Sequence, residues 1–272
     1  MVTMGKSYRL IKNGILEEYD LATADSPEFW QNHWGTQGLD LTLNKAEKGY
    51  LGGSTFILPD ISLKDNILEA GCGKGQNVVA LIARGYKIRG IDFAETIIDE
   101  IKRLRPDIDV ITGNLKNLPF ENKQFTVYLS FGVIEHFNNT ADVDLILNEA
   151  LRVTSGRIFI SVPYLSPALK KKYLKGKLKT NIQGNYFYQY YFSEDAIKGL
   201  LLSHRLSPYK TLFYATHIGL KRNNGLYKLL LKLYVTRYLL HKSFRFLDYM
   251  FGKKYAHMVG IWSYVIGGGK VS

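Results

Sequence analysis

Between residues 66 and 162 the chain alternates two kinds of segment with little between them. Short apolar runs bounded by turn-forming residues, at 66–70, 87–92, 108–112, 125–131 and 156–162, have the length and composition of buried strands. Helix-like stretches separate them at 77–84, 94–104 and 141–153, the second ended by Pro106. Regular βαβ alternation leaves few topologies. Parallel neighbours need long crossovers, the crossovers are helices, and the helices cover both faces of the sheet. With 46% of the 272 residues apolar, the chain has enough material for such a core.

The first of these strands runs into Ile67-Leu68-Glu69-Ala70-Gly71-Cys72-Gly73-Lys74-Gly75, and a helix follows at once. Glycines at this spacing let the backbone turn sharply and let a ligand lie directly against it. The following helix start offers free N–H groups. The second strand ends in Gly90-Ile91-Asp92, where an acidic side chain can accept hydrogen bonds from both hydroxyls of a ribose. The dinucleotide fingerprint G-x-G-x-x-G would need glycine where Gln76 stands, and no G-K-[ST] follows for a phosphate-binding P-loop. The pattern is instead acidic-x-G-x-G-x-G.

Residues 66–163 resemble the core of the class I S-adenosylmethionine-dependent methyltransferases, closest to the "type 11" group that includes the ubiquinone and menaquinone methyltransferases. Glu69, Gly71, Gly73 and Gly75 match the family's first motif, and Cys72 lies inside it as a small residue beside the cofactor. The resemblance implies that this loop cradles the methionine and ribose parts of S-adenosylmethionine, that Asp92 holds the ribose hydroxyls and that Phe93 flanks the adenine. Gly113-Asn114-Leu115 matches the element that reads the adenine edge. Asn114 has a second reading, as the cap of a turn after the third strand. Leu118-Pro119-Phe120 followed by Phe125 matches the approach to the fourth strand. Ser130–Phe137, S-F-G-V-I-E-H-F, matches the motif whose start, with Phe131, lines the sulfonium. Thr126 departs from the family, which has Asp there. The implied fold is a Rossmann-like three-layer α/β sandwich with a seven-stranded, mostly parallel sheet. Its implied strand order is 3-2-1-4-5-7-6 with the last strand antiparallel, and it carries helical additions.

Methyl transfer is an in-line attack that gains mostly from placing the acceptor against the methyl. Where the acceptor is an alcohol or phenol, His136 has a suitable intrinsic pKa to take its proton; its other reading is a packing or loop-fixing residue. Cys72 is set aside as a nucleophile because it sits in the cofactor loop. The same single cysteine leaves no disulfide and no cysteine-rich zinc site, so no metal is expected.

Outside the core the charge is lopsided. Residues 164–272 hold 19 Lys and Arg against Glu194, Asp195 and Asp248, a net +16, whereas residues 1–163 hold 17 basic and 21 acidic residues, a net −4. A cluster at Lys170, Lys171, Lys172, Lys175, Lys177 and Lys179 precedes an aromatic run from Tyr186 to Phe192. Such a region suits an anionic membrane surface, a phosphorylated substrate or nucleic acid. The acceptor is therefore expected to be a small molecule, lipid-linked, isoprenoid or glycan in type, met at a membrane face. RNA methylation through the basic half is the alternative, ranked lower because no RNA-binding module is recognisable. The whole chain reads as a single methyltransferase domain: a helical N-terminal cap over 1–64, a cofactor-binding core over 65–163 and a basic C-terminal half over 164–272. That half carries a helix start at Ser193, strands at 208–217 and 258–266, and a helical insertion at about 217–256 that breaks near Thr236. No signal-peptide core or membrane-spanning run is seen, so the expected location is cytoplasmic, peripheral to a membrane.

Overall fold

The computed structural model describes residues 6–11, 14–21, 29–30, 35, 37–223 and 244–266. Ten strands are present among them: β1 Ser7–Ile11, β2 Ile15–Asp20, β3 Asn66–Ala70, β4 Lys87–Asp92, β5 Val110–Thr112, β6 Phe125–Phe131, β7 Thr154–Pro163, β8 Tyr186–Phe192, β9 Leu206–Tyr214 and β10 Met258–Val265. Seven form one sheet in the order β5-β4-β3-β6-β7-β10-β9. Counted along this sheet, that is the expected order 3-2-1-4-5-7-6. The pairs β4–β5, β3–β4 and β3–β6 are parallel, and the sheet is mostly parallel with an antiparallel end. Helices Gln76–Ile82, Glu95–Leu104 and Thr140–Val153 are the crossovers. The chain packs as two compact units, one of residues 24–160, 201–209 and 262–272, the other of 1–23, 161–200 and 210–261.

The first unit is built as its sequence periods dictate. Ile67, Leu68 and Ala70 of β3 and Val127, Tyr128 and Leu129 of β6 are buried without alternation, as strands covered on both faces must be. Helix Glu95–Leu104 buries Ile97, Ile98 and Ile101, and Thr140–Val153 buries Val143, Ile146, Leu147 and Ala150, each a single helical stripe. Asn139 caps the latter helix, its side chain accepting from the Ala141 N–H at 3.0 Å.

In the second unit β1, β2 and β8 form a separate antiparallel sheet in the order β1-β2-β8. Its core joins Leu16, Leu165 and Tyr191, packed against Tyr8, Leu10, Leu169 and Tyr173. This corrects the reading of 1–64 as a helical cap. Helical turns do occur at Leu39–Glu47 and Gly52–Asp60, but 7–20 is a β-hairpin. The sequence signal was the Asn13-Gly14 dipeptide, and Gly14 has the left-handed φ of 77° that such a turn needs. The aromatic run 186–192 is β8, with Phe187, Tyr191 and Phe192 buried, so half of its six rings serve the core. Ser193 does start a helix, Glu194–Ser203, its Oγ accepting from the Ala196 N–H. Of the helical insertion, Thr216–Asn223 and Phe244–Tyr255 are helices. The break near Thr236 lies outside the described residues. Among the described residues no helix is long and apolar enough to cross a membrane.

Candidate active site

The strand order reverses between β3 and β6, and ligands of open α/β sheets lie in the crevice beyond the carboxyl ends of the strands at that point. Four loops leave the sheet there, and backbone geometry ties them together. Gly71, Gly73 and Gly75 all adopt left-handed conformations, with φ of 79°, 49° and 66°. The loop they form folds back over the end of β4, the N–H groups of Gly71 and Cys72 donating to the carbonyl of Ile91 at 2.8 and 3.1 Å. The Gly73 N–H donates to Asp92 Oδ2 at 2.8 Å, and the Ala94 N–H to Asp92 Oδ1 at 3.0 Å. The loop after β5 joins through the Gly113 N–H, which donates to the carbonyl of Asp92 at 2.9 Å. The loop after β6 joins by close approach: a Cβ on Gly71 would overlap a methyl of Val133.

Asp92 is therefore the pin of the site. It is 4% exposed, and burial pushes its carboxyl above the usual range while the N–H groups of Ala94 and Gly73 pull it back. With one donor on each oxygen, a carboxylate retains lone pairs for further donors. Glu69 stands beside it near the end of β3, fully enclosed. Burial raises its carboxyl to about 8, the Asn77 amide opposing and the Asp92 charge adding to the rise. Asn77, in the first turn of the following helix, donates to Glu69 Oε1 at 2.7 Å. Glu69 Oε2 and Asn77 Oδ1 are buried without a partner. A buried carboxyl oxygen lacking a hydrogen-bond partner is costly unless a ligand supplies one. Asn77 was missed from sequence; its signal is an amide placed in the first helical turn after an acidic strand end.

Cys72 is buried, and burial pushes its thiol well above the ordinary value, as suits a packed side chain and not a nucleophile. Phe93 is half-buried directly after Asp92. Leu115 is buried, while Asn114 is exposed and its Oδ1 accepts from the Lys116 N–H at 2.9 Å, so the turn-capping reading of Asn114 holds in the structure. Phe131 ends β6 half-buried, its ring 5.3 Å from Phe159 and 6.5 Å from Phe56. Thr126, the departure from the family pattern, is a structural joint: it accepts from the Asn66 N–H at 3.0 Å and donates to Asp65 Oδ1 at 2.9 Å, and Arg157 holds the other oxygen of Asp65.

The turn Ile134–His136 brings two ionisable groups to the same rim. His136 is buried, its ring edge-on to Trp30 at 4.6 Å between centroids, and its Nε2 lies 3.9 Å from Glu135 Oε1. Glu135 is 2% exposed, with Oε2 unpartnered, and burial raises its carboxyl to about 8. Gly132, at φ 71°, leaves room for it, since a Cβ there would stand 3.2 Å from Glu135 Oε1. Glu135 is the neighbour of His136 in the acid–base motif of the sequence, whereas Trp30 has no such signal.

Comparison with known proteins bears on the same stretch. Residues 68–160 match the family model described as a methyltransferase domain. A probable S-adenosylmethionine-dependent methyltransferase of Mycobacterium tuberculosis is 32% identical over 111 residues, covering 39% of this chain and 38% of that protein. A demethylmenaquinone methyltransferase of Paenarthrobacter aurescens is 32% identical over 105 residues, 38% of this chain and 40% of that protein. Residues 68–160 are a class I S-adenosylmethionine-dependent methyltransferase domain. The matched stretch spans well under half of those relatives, so the sequence likeness concerns the domain alone. Solved structures agree on the fold. A magnesium protoporphyrin IX methyltransferase from Synechocystis, with S-adenosylhomocysteine bound, aligns at TM-score 0.50 and 14% identity over 84% of this chain and 83% of that chain. A geranyl diphosphate methyltransferase in complex with GPP and sinefungin aligns at TM-score 0.53 and 14% identity over 88% and 99% of the two chains.

The methyltransferase domain fits S-adenosylmethionine by its own geometry. Three left-handed glycines at alternate positions leave the loop without side-chain bulk at its turns. Asp92 is positioned to receive hydroxyl donors, and the orphaned Glu69 Oε2 leaves a hydrogen-bonding position for a ligand.

Proposed function

We propose that this chain transfers a methyl group from S-adenosylmethionine to a small-molecule acceptor, lipid-linked, isoprenoid or glycan in type, working peripherally at the cytoplasmic face of a membrane. The observation that carries the reading is Asp92, whose carboxylate and carbonyl tie the loops after β3, β4 and β5 into one rim at the switch point. The bound cofactor supplies an electrophilic sulfonium methyl. The protein's part is placement and exclusion of water more than acid–base work.

Glu69, Gly71, Cys72, Gly73 and Gly75 would hold the methionine and ribose portions. Asp92 would hold the ribose hydroxyls, with Phe93, Asn114 and Leu115 around the adenine and Phe131 beside the reacting centre. His136 takes a proton from an alcohol or phenol acceptor, and Trp30 fixes its ring. Half-buried rings of Phe29, Trp30 and Phe56 give the unit apolar surface suited to an isoprenoid or aromatic acceptor. Relatives whose sequences match include demethylmenaquinone and ubiquinone biosynthesis methyltransferases, which supports a small, apolar acceptor. The net +16 of residues 164–272 supports the membrane face.

Calorimetric titration with S-adenosylmethionine and S-adenosylhomocysteine tests the core of this reading, on the wild type, Asp92→Ala and Asp92→Asn. Micromolar binding by the wild type is expected. Both variants should bind at least tenfold more weakly while circular dichroism shows them folded. No binding of either ligand by the wild type refutes the reading.

A further inference from the structure

Two helices of the second unit, Pro167–Leu174 and Phe244–Tyr255, pack against one another, and each turns an unusual stripe to solvent. On the first, Pro167, Lys170, Lys171 and Leu174 are exposed at helical spacing, Leu174 at 66%, and Lys175 follows at the end. That helix buries no residue fully. On the second, Tyr249, Met250, Lys253 and Lys254 are exposed at the same spacing, Tyr249 at 85% and Met250 at 52%. Large apolar side chains and lysines thus share each outward stripe, which makes each face amphipathic along its exposed side.

The one acidic residue on these two helices is turned inward. Asp248 is half-buried and accepts from the Thr216 N–H at 2.9 Å, at the start of the helix Thr216–Asn223. Elsewhere in 164–272 the acids are Glu194, which is paired with Lys198, and Asp195. Among the described residues no salt bridge joins Lys170, Lys171, Lys253 or Lys254 to an acid, although the charge of Lys253 reaches Glu194, which is itself paired with Lys198. An aromatic ring, a methionine and a leucine flanked by lysines outside any salt bridge have the composition of a helix lying in the headgroup region of a bilayer. There the apolar tips enter and the ammonium groups stay at the anionic surface.

We infer that the outward stripes of helices Pro167–Leu174 and Phe244–Tyr255 are the surface by which this chain docks on an anionic lipid bilayer. The inference deepens the proposed reading by naming the partner surface, and it rests on that reading only for its purpose, since docking needs no methyl transfer. Lipid is favoured over nucleic acid because the stripes expose Leu174, Tyr249 and Met250 together, which phosphate recognition does not use.

Flotation of the full chain with vesicles of phosphatidylcholine, alone or mixed with phosphatidylglycerol, tests it. The wild type should float with the mixed vesicles and not with phosphatidylcholine alone. A Lys170→Ala, Lys171→Ala, Lys253→Ala, Lys254→Ala variant should lose a hundredfold or more in partition coefficient, because each basic residue near such a surface is worth about fivefold. Tyr249→Ser with Met250→Ser should lose roughly tenfold while keeping every charge. Titration with S-adenosylhomocysteine reports separately on the methyltransferase domain and should be unchanged in both variants. Failure of the wild type to float, equal flotation of wild type and the lysine variant, or retention of a single-stranded RNA in place of vesicles would each overturn the docking surface. Absence of cofactor binding with flotation intact would overturn the methyltransferase reading instead.

Discussion

Gly71→Ala puts the construction of the cofactor loop to a quantitative test. Gly71 sits at φ 79°, a conformation that costs an L residue about 1–2 kcal/mol. The new Cβ would also overlap Cγ2 of Val133 and stand 3.6 Å from its Cβ and Cγ1. Forcing a methyl into a packed contact costs a further 1–3 kcal/mol or so. The sum, roughly 2–5 kcal/mol, lowers Tm by about 4–20 °C for a chain of this size. Removing the obstructing methyl separates the two terms. In Gly71→Ala with Val133→Ala the overlap is gone and the φ cost remains, so the double variant should be about 1–3 kcal/mol more stable than the two single losses added together. Denaturant titration of the four proteins gives this coupling. Titration with S-adenosylhomocysteine then shows whether relieving the overlap restores the loop for binding. Strict additivity, with coupling under about 0.5 kcal/mol, would refute the argument that this glycine exists to let the loops after β3 and β6 meet.

Two further outcomes follow from buried ionisable groups. Burial raises the Glu135 carboxyl to about 8, so the folded chain holds a proton that the unfolded chain releases above about pH 4.5. That contribution to stability is present in full below the unfolded value and is lost as pH rises towards 8. Glu135→Gln should therefore match the wild type near pH 4 and exceed it at pH 8 by up to a few kcal/mol. Parallel Tm-against-pH curves for the two proteins would contradict this. The Cys72 thiol, buried and pushed well above its usual range, should resist a disulfide reagent at pH 8 in the native protein and react fully once denaturant is added. Rapid reaction of the folded chain would show that the loop opens.

The sequence by itself determined the parts whose physics is local. Strand and helix periods between 66 and 162 were legible because burial on both faces of a parallel sheet demands uninterrupted apolar runs, and β3, β4 and β6 fall where those runs lie. The glycine loop was legible because left-handed φ at Gly71, Gly73 and Gly75 admits glycine most readily. The strand order came from resemblance, and the sheet has that order. What depended on distant partners was not legible. The hairpin of β1 and β2 was taken for a helical lead-in because its stabilising partner, β8, lies far along the chain, with Gln189 and Tyr191 reaching back to the buried Glu18. The aromatic run 186–192 reads equally as a membrane or pocket surface and as a core strand for the same reason. The enclosure of Glu135 needed the fold of its turn, and Val133 reads as an ordinary apolar residue until it is seen against Gly71. Asp248 counted in sequence as a charge offsetting its lysines, but in the fold it caps a neighbouring helix and leaves the outward face basic. Backbone conformation and periodicity are written residue by residue, whereas burial, pairing and the sign of a surface are set by which segments meet, and that only the tertiary structure decided.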